Sequence, residues 1–439
     1  MTQTLEVARL RRLILLIAFA VSASLSYQAS RFWLVDYRIH SNNLDAIEKG
    51  VALEPGDAEA WDVLGRHHQL DLADANPSEA IANYQRAVQD DPLSANYWMN
   101  LAGAYEDAGD SNGAEEAFEH ARAVYPLSAD VAWNYGNFLL RQGQDALGYA
   151  EIQHAVESDP RLLTLAISRV WRSSRDVNVL LDQVLPSDLN AYFQALDFFA
   201  SIRQPSPALA VWHRLTALGK TIVLKKTFLF FDELIQDDRS SDAKRVWTEA
   251  LAAAGLSHYP PLKNSLIWNG DFAHEFENGG LGWRWNSPVG AAIDFDTVPL
   301  SYGVRSVRLD FGGGRNLDLS VPMQYVPVEP NQHLHFHAYL QTEGITTESG
   351  VRFSIIDPNQ YAVDVKTENL IGSHHWTAAE ADVSVSPRTH FLLVRLYREP
   401  SRLFDNKLGG TVWVADVKLT PADVNVAADA AVGAGKLPQ

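Results

Sequence analysis

The chain changes its hydrophobic periodicity along its length, which predicts three regions. Near the N-terminus, an uncharged run, "LILLIAFAVSASLSYQAS", is apolar in its first half. From about residue 31 to residue 256, apolar residues recur three or four positions apart, as in amphipathic helices. After "HYPPLKNSLIWNGDF" they alternate in short runs bounded by Gly, Pro or Asn, as in strands. We therefore predict helices, a domain boundary near residue 262, and then a β-domain.

Prolines recur at a regular interval within the helical region. Pro55, Pro92, Pro126 and Pro160 are separated by 37, 34 and 34 residues. Intervals of this length are typical of helix–turn–helix repeats. Between the second and third prolines, large and small residues follow a fixed order: Trp98, Leu101, Ala102, Tyr105, Ala114, Phe118 and Ala121. The small residues would let two helices approach closely, and the aromatic rings would fill the space between neighbouring pairs.

This order resembles the tetratricopeptide repeat. The preceding unit matches at Trp61 and Gly65, and the following unit matches at Tyr135 and Gly136 but has Ala132 where the repeat has a large aromatic residue. The resemblance implies a helical solenoid. We assign it to residues 31–261, with repeats clearest over 58–160 and degenerate over 161–256. Aromatic residues of the degenerate part are interpreted as packing residues: Phe198, Phe199, Phe230 and Phe231.

In tetratricopeptide repeats the inner helix of each pair lines a concave surface that contacts protein partners. Matching the register of this sequence to the family assigns six residues to that surface: Asp62, Arg66, Asn96, Trp133, Asn137 and Arg141. The alternative is that these side chains form a solvated face or pack between helices. Trp133 is the hardest of the six to leave exposed without a function.

The alternating runs predict six strands, and their number and spacing suggest an antiparallel sandwich. The runs are "VRSVRLDF", "LDLSVPMQYVPV", "QHLHFHAYLQT", "VRFSIID", "HFLLVRLY" and "TVWVADVKL". The opening Asn269-Gly270-Asp271-Phe272, then Gly282-Trp283, Trp376 at the start of a late strand, and the closing "VWVADVKL" resemble galactose-binding-like jelly rolls, particularly carbohydrate-binding modules. The resemblance implies that Trp283 and Trp376 pack in the sandwich as framework residues. The resemblance covers residues 264–421. It implies a jelly roll over 262–422 that binds glycan or serves as a structural or protein-binding unit.

The predicted fold class is therefore multidomain α plus β, an α-helical tetratricopeptide solenoid followed by an antiparallel β-sandwich of jelly-roll type. Residues 423–439, rich in Ala and Gly, are predicted to be a disordered tail.

The N-terminal residues 1–30 have the features of an export segment. Arg9, Arg11 and Arg12 precede the apolar run, and Val21-Ser22-Ala23 would suit a signal peptidase. The alternative is a retained membrane anchor, with the arginines in the cytoplasm and Phe32 and Trp33 at the outer interface. Both interpretations place the rest of the chain in the periplasm or cell envelope.

Composition narrows the possible functions. The chain has 439 residues, a formal net charge of -18 at pH 7 and no cysteine. The negative charge disfavours nucleic acid as a partner. Without cysteine there are no disulfides, zinc thiolates or cysteine nucleophiles. The sequence contains no nucleophile elbow, P-loop or metalloprotease helix, so we predict that the protein is not an enzyme.

Alternation predicts a glycan groove on the sandwich. In "QHLHFHAYLQT", Leu334, Phe336, Ala338 and Leu340 would face the core, leaving His335, His337 and Tyr339 on the other face. In "HFLLVRLYREP", Arg395 and Tyr397 would lie opposite a row of Leu392, Val394 and Leu396. We expect these polar and aromatic residues to form one groove, with Trp285 as a wall: His335, His337, Tyr339, Arg395 and Tyr397. Rings suit the apolar face of a sugar, and Arg and His donate to its hydroxyls.

Metal sites are the alternative use of these residue types. Neighbouring imidazoles on one face are potential zinc ligands. Asp271, Glu275 and Asp416 offer oxygen ligands for a structural calcium ion. However, two positions at which the resembled modules carry acidic calcium ligands have Ala273 and Ala415 here. We therefore predict no cofactor, with structural calcium as the alternative.

Together these observations predict a non-enzymatic, exported or membrane-anchored adaptor. Its repeats would bind an envelope protein, and its sandwich would bind a polysaccharide or oligosaccharide, in polysaccharide assembly, secretion or surface attachment. The alternatives are a purely structural interaction scaffold without sugar binding, and a polysaccharide-acting hydrolase.

Overall fold

The computed structural model of the chain describes residues 2–41, 43–71, 73, 75–256, 264–296 and 305–422. Helices precede strands, which confirms the predicted class of a helical solenoid followed by antiparallel β-sheets. The chain divides into two compact units, Met1–Pro186 and Ser187–Gln439. This division lies within the predicted solenoid. The predicted boundary near residue 262 and the predicted tail 423–439 lie outside the described residues.

The first unit consists of helices arranged in successive antiparallel pairs. They are α1 (Thr2–Ile39), α2 (Leu44–Leu53), α3 (Ala58–Leu70), α4 (Pro77–Asp90), α5 (Ala95–Asp107), α6 (Ser111–Val124), α7 (Ala129–Arg141), α8 (Asp145–Ser158), α9 (Leu163–Ser174) and α10 (Val177–Gln183). Polar side chains cap several of their N-termini by accepting backbone N–H groups of the first turn: Asp57, Asn76, Asp110 and Ser128.

The repeat residues take the positions that their sizes predicted. Ala102, Ala114 and Ala121 are fully buried between helices. The Phe118 ring stacks on Tyr135, with 5.5 Å between ring centroids, so it bridges one helix pair to the next. Such packing is what stabilises a solenoid, since each repeat contacts only its neighbours.

Two tryptophans fix the turns between repeats in the same way. The Trp61 indole N–H donates to the carbonyl of Pro55, and the Trp98 indole N–H donates to the carbonyl of Pro92, each at 2.9 Å. The shared geometry explains why the large aromatic residue recurs after the proline. The third unit has Ala132 at this position and lacks the bond.

Helix α1 is continuous from the apolar N-terminal segment into the solenoid. Its last two turns bury Val35 and Ile39 against Ile47 and Leu64 of the following helices. Residues Arg11–Ile39 form a 29-residue span that is long and apolar enough to cross a membrane, judged by length and composition.

The second unit combines four α-helices with nine strands in the described part of the chain. The helices are α11 (Leu189–Ser201), α12 (Pro205–Ala217), α13 (Phe228–Gln236) and α14 (Ser240–Ala253). The strands are β1 (Ala291–Asp296), β2 (Ser306–Gly312), β3 (Met323–Pro327), β4 (His333–Ile345), β5 (Arg352–Ile356), β6 (Asp364–Lys366), β7 (Gly372–Ser384), β8 (Phe391–Tyr397) and β9 (Gly409–Pro421).

The strands form two antiparallel sheets packed face to face. One has five strands in the order β1-β2-β9-β4-β7, and the other has four in the order β3-β8-β5-β6. Phe336 of the first sheet packs on Phe353 of the second, with ring centroids 4.9 Å apart. The two rows predicted to face the core do so: Leu334, Phe336, Ala338 and Leu340 of β4, and Leu392, Val394 and Leu396 of β8.

Helices α13 and α14 pack on the opening segment of the sandwich. The Trp247 ring lies edge-on to Trp268, with centroids 5.4 Å apart. Arg284 forms an ion pair with Asp232 at 2.8 Å. These contacts explain why the last helices share a compact unit with the sheets. The aromatic residues predicted to be packing residues are buried here at three positions, Phe199, Phe230 and Phe231, while Phe198 is half-buried.

Candidate functional site

A groove lies on the inner face of the first unit, between the end of α1, the helix α3 and the helix α5. Its volume is about 840 Å³. Three of the six predicted partner-contact residues line it: Asp62, Arg66 and Asn96. The other lining residues include Ile39, His40 and Ser41 from α1, Glu59, His67 and Leu70 from α3, and Tyr97 and Asn100 from α5.

Asp62 is the buried centre of the groove floor. Its carboxylate accepts from Asn100 Nδ2 at 2.7 Å and from Arg66 Nη2 at 2.5 Å, and the residue is 2% exposed. Burial raises the pKa of Asp62 above its usual value, while the bonds from Asn100 and Arg66 oppose that rise. Because Asn100 belongs to α5 and Asp62 to α3, the pair joins the inner helices of adjacent repeats.

Several groove side chains are accessible to a ligand. Asn96 and Glu59 are exposed, and Leu70 is 67% exposed although it is a large apolar residue. Tyr97 is half-buried beside them. The surface therefore offers an amide, a carboxylate, an apolar side chain and an aromatic ring at one place.

The other three predicted contact residues lie on α7 and do not line this groove. Arg141 forms two bonds to the Glu106 carboxylate, at 2.6 Å and 2.7 Å, which tie α7 to α5. Asn137 Nδ2 donates to the carbonyl of Trp133 at 2.8 Å, within the same helix. Trp133 itself is half-buried. Arg141 is thus already occupied by an internal ion pair.

On the sandwich, the predicted histidines pair with acids across the strand ladder. His335 Nδ1 lies 2.9 Å from Asp382 Oδ1, and His337 Nδ1 lies 3.1 Å from Glu380 Oε1. Both acids belong to β7, next to β4, and are on the outer face of the five-stranded sheet. The Tyr339 ring lies edge-on to His337, with centroids 4.8 Å apart.

The predicted combined glycan groove is not formed, because its residues belong to different sheets. Arg395 and Tyr397 are on β8 in the four-stranded sheet, whereas His335, His337 and Tyr339 are on β4 in the five-stranded sheet. The outer faces of a sandwich point in opposite directions. Arg395 lies over the Tyr397 ring, 4.6 Å from its centroid, so these two form a separate cluster.

Four tryptophans of the sandwich differ in how deeply they are buried. Trp283 is fully buried in the core, as expected, and Trp285 is partly buried against that core rather than standing as an exposed wall. Trp376, which was also expected to pack in the sandwich, is half-buried and is not among the residues of the core. Trp413 was not predicted as a site residue. It is half-buried on the outer face of β9, where it is paired with Gln341 of β4. It lies two positions before Ala415, which is paired with Tyr339.

The three acids predicted as calcium ligands do not come together as a ligand set. Asp416 pairs with Lys418 at 2.8 Å, and Asp271 accepts the backbone N–H of Ala273 at 3.3 Å. Among the residues that the structure describes, no group of three or more His, Cys, Asp or Glu is placed to hold a metal ion. The histidines of β4 therefore form no such group with other described residues.

A family model of the tetratricopeptide repeat matches residues 69–118 and 104–161. Residues 69–161 are therefore tetratricopeptide repeats. The match spans the two units in which the Trp98 turn and the Phe118 stack occur. No curated protein matches the chain.

Solved structures similar to the chain are tetratricopeptide and other proteins of low identity. A crystal structure of the MamA protein is 15% identical over 45% of this chain and 91% of that chain, with a TM-score of 0.28. YrrB, described as a TPR protein with an unusual peptide-binding site, is 16% identical over 48% and 94%, with a TM-score of 0.26. PilF of Pseudomonas aeruginosa is 16% identical over 51% and 90%, with a TM-score of 0.26.

Sequence reasoning missed most of the residues that line the repeat groove, among them Glu59, Tyr97 and Asn100. The helical period could have indicated Asn100, because Asn96 and Asn100 are four positions apart and therefore share one face of α5. No comparable pattern indicated that the C-terminal end of α1 lines the groove, since the apolar run ends before Ile39.

Proposed function

We propose that this protein is a membrane-anchored adaptor without catalytic activity, whose tetratricopeptide groove binds an extended segment of a partner protein outside the cytoplasm. The observation that carries the proposal is the groove between α1, α3 and α5. Its volume of about 840 Å³ lies within the range of ligand sites in proteins. Its exposed amide and carboxylate suit the backbone and side chains of a peptide.

A library selection on the full-length protein in lipid nanodiscs tests the groove. Random peptides displayed on phage are selected on the native chain and then compared with the Asn96→Trp variant, which fills the groove without changing its charge. We expect selected peptides to lose binding to the variant. Glu116→Gln, at an exposed site of α6 outside the groove, is the control. Peptides that bind all three chains equally would contradict the proposal.

The anchor is supported by the continuity of α1. The same helix that carries the apolar span buries Val35 and Ile39 in the solenoid. Trp33 and Tyr37 stack on the exposed side of this helix, with ring centroids 5.6 Å apart, and are 66% exposed each. Exposed aromatic residues at the end of an apolar span favour a membrane interface.

Export is tested with a reporter fused after residue 40, which should be active only outside the cytoplasm. Retention of the full mass indicates the anchor, and a loss of residues 1–23 indicates cleavage after Ala23. A cytoplasmic reporter would contradict both.

A second candidate function is glycan binding on the outer face of the five-stranded sheet. The supporting observation is the pair of half-buried rings, Tyr339 and Trp413, which lie on adjacent strands with Gln341 and His337 beside them. Aromatic rings with nearby hydrogen-bonding groups are typical of sugar sites. This arrangement replaces the predicted groove, and a role in polysaccharide assembly or surface attachment would depend on it. If no glycan binds, the sandwich serves as a structural or protein-binding unit.

A further inference from the structure

The repeat groove has a strongly unequal distribution of charge. Among the residues that the structure describes, three carboxylates line it, those of Glu59, Asp62 and Asp71, against one guanidinium, that of Arg66. His40 and His67 are the other ionisable groups with nitrogen. Since Arg66 is paired with Asp62, the remaining carboxylates give the groove a net negative charge.

Glu59 is the carboxylate best placed for a ligand. It is exposed, and its side chain has no ion pair or hydrogen bond within the described residues. It lies three positions before Asp62 and therefore on the same side of α3. A cation that reached Glu59 would not have to displace an internal partner.

Tyr97, on the opposite wall of the groove, lies in the same negative electrostatic potential. Burial raises the pKa of its hydroxyl, and four carboxylates raise it further: Asp62, Glu59, Asp91 and Asp57. A half-buried aromatic ring surrounded by carboxylates is a favourable environment for an ammonium or guanidinium group, since both the ring face and the charges attract it.

The other contacts of the groove suit an extended chain rather than a small ion. Asn96 can accept and donate one hydrogen bond each to a peptide backbone. Leu70, which is 67% exposed, offers an apolar contact beside the charged positions. A segment with a basic side chain and a neighbouring apolar one would satisfy all of these groups at once.

We propose that this groove is specific for a cationic protein segment, with a lysine or arginine side chain bound between Glu59 and Tyr97. The inference rests on the proposed function, because it names the chemical class of the segment that the groove binds. Charge complementarity selects this occupant over an acidic one, since a second carboxylate brought to Glu59 would be repelled.

Three fluorescent peptides of equal length test the specificity: a Gly-Lys-Ser repeat, a Gly-Gln-Ser repeat and a Gly-Glu-Ser repeat. Their binding to the full-length protein in nanodiscs of neutral lipid is measured by fluorescence anisotropy. We expect the lysine peptide to bind at least about tenfold more tightly than the other two. Raising the salt from roughly 50 to 300 mM should weaken its binding and leave that of the glutamine peptide unchanged.

Matched variants separate groove binding from adsorption to an acidic protein. Glu59→Gln should weaken binding of the lysine peptide about fivefold, a loss of about 1 kcal/mol. Glu116→Gln removes the same charge outside the groove and should have no effect. Asn96→Trp should abolish binding by filling the groove.

The outcomes distinguish the two proposals. Equal losses for Glu59→Gln and Glu116→Gln, or equal binding of all three peptides, would overturn the cationic specificity. Failure of all three designed peptides would also overturn it. The phage-selected peptides decide the proposed function independently, because neutral or acidic peptides that require an open groove would support the function and exclude the specificity.

Discussion

Two glycine-to-alanine substitutions in neighbouring inner helices should have opposite effects on stability. Gly65 lies inside α3 and Gly103 inside α5, so each replacement improves helix propensity by about 1 kcal/mol. Their surroundings differ. A Cβ at Gly65 would lie 2.8 Å, 2.9 Å and 3.0 Å from three atoms of the Tyr84 ring, whereas a Cβ at Gly103 would meet only Gln69 Nε2, at 3.6 Å.

The Tyr84 ring cannot move aside easily. It is 1% exposed, and its hydroxyl donates to Gln69 Oε1 at 2.9 Å. Overpacking a close-packed site costs about 1–3 kcal/mol. Contacts of 3.0 Å or less to a buried ring place Gly65 at the upper end of that range, so after subtraction of the propensity gain we expect Gly65→Ala to destabilise the first unit by about 1–2 kcal/mol. Gly103→Ala should stabilise it by about 0.5–1 kcal/mol.

Thermal unfolding of the full-length protein, followed by far-ultraviolet circular dichroism, measures the difference. The two variants should differ by about 1.5–3 kcal/mol, which corresponds to about 3–12 °C in the Tm of the helical transition. A Gly65→Ala chain as stable as the Gly103→Ala chain would refute the reasoning, because it would mean that the small residue does not set the distance between α3 and α4.

Two further predictions concern the second unit. Burial raises the pKa of Glu233 from 4.5 to about 7, and Asp237 adds to the rise. The folded chain then binds this proton more tightly than the unfolded chain. The free energy of unfolding therefore falls as pH rises from about 4.5 to about 7. Relative to the native chain, Glu233→Gln should raise stability by on the order of 2 kcal/mol at about pH 8 and leave it unchanged at about pH 4.5; equal effects at both would contradict this. On the sheet face, Tyr339→Ala or Trp413→Ala should weaken binding of neutral polysaccharides about tenfold in calorimetry, whereas Tyr397→Ala in the other sheet should not; loss of binding on Tyr397→Ala alone would point to that sheet.

The strands that the alternation of apolar and polar residues did not predict are edge strands. β1 and β7 form the two edges of the five-stranded sheet, and β6 forms one edge of the four-stranded sheet. An edge strand packs against fewer neighbours, so its sequence need not alternate strictly between apolar and polar residues. In β7 the apolar alternation survives only at Ala379, Ala381 and Val383, although Trp376 was noted as the start of a late strand.

The helical repeats were predictable because their signal is local. Trp61 and Trp98 bond to prolines six residues earlier, and the small residues contact the neighbouring helix of the same pair. The glycan groove could not be predicted in the same way, since it depended on which sheet each strand joins. Alternation assigned the inner and outer faces of β4 and β8 correctly but contains no information on whether the two outer faces coincide.

The central claim, that the repeat groove binds a protein segment, is tested most directly by photo-crosslinking in the cell. A photoreactive amino acid is placed at Asn96 in the groove or, as the control, at Glu116 on the outer helix α6. The account predicts a discrete adduct from Asn96 alone, whose mapped attachment site lies in an extended protein segment and which disappears when a groove-binding peptide is added. Adducts of the same mass and amount from both positions, unaffected by the peptide, would contradict it.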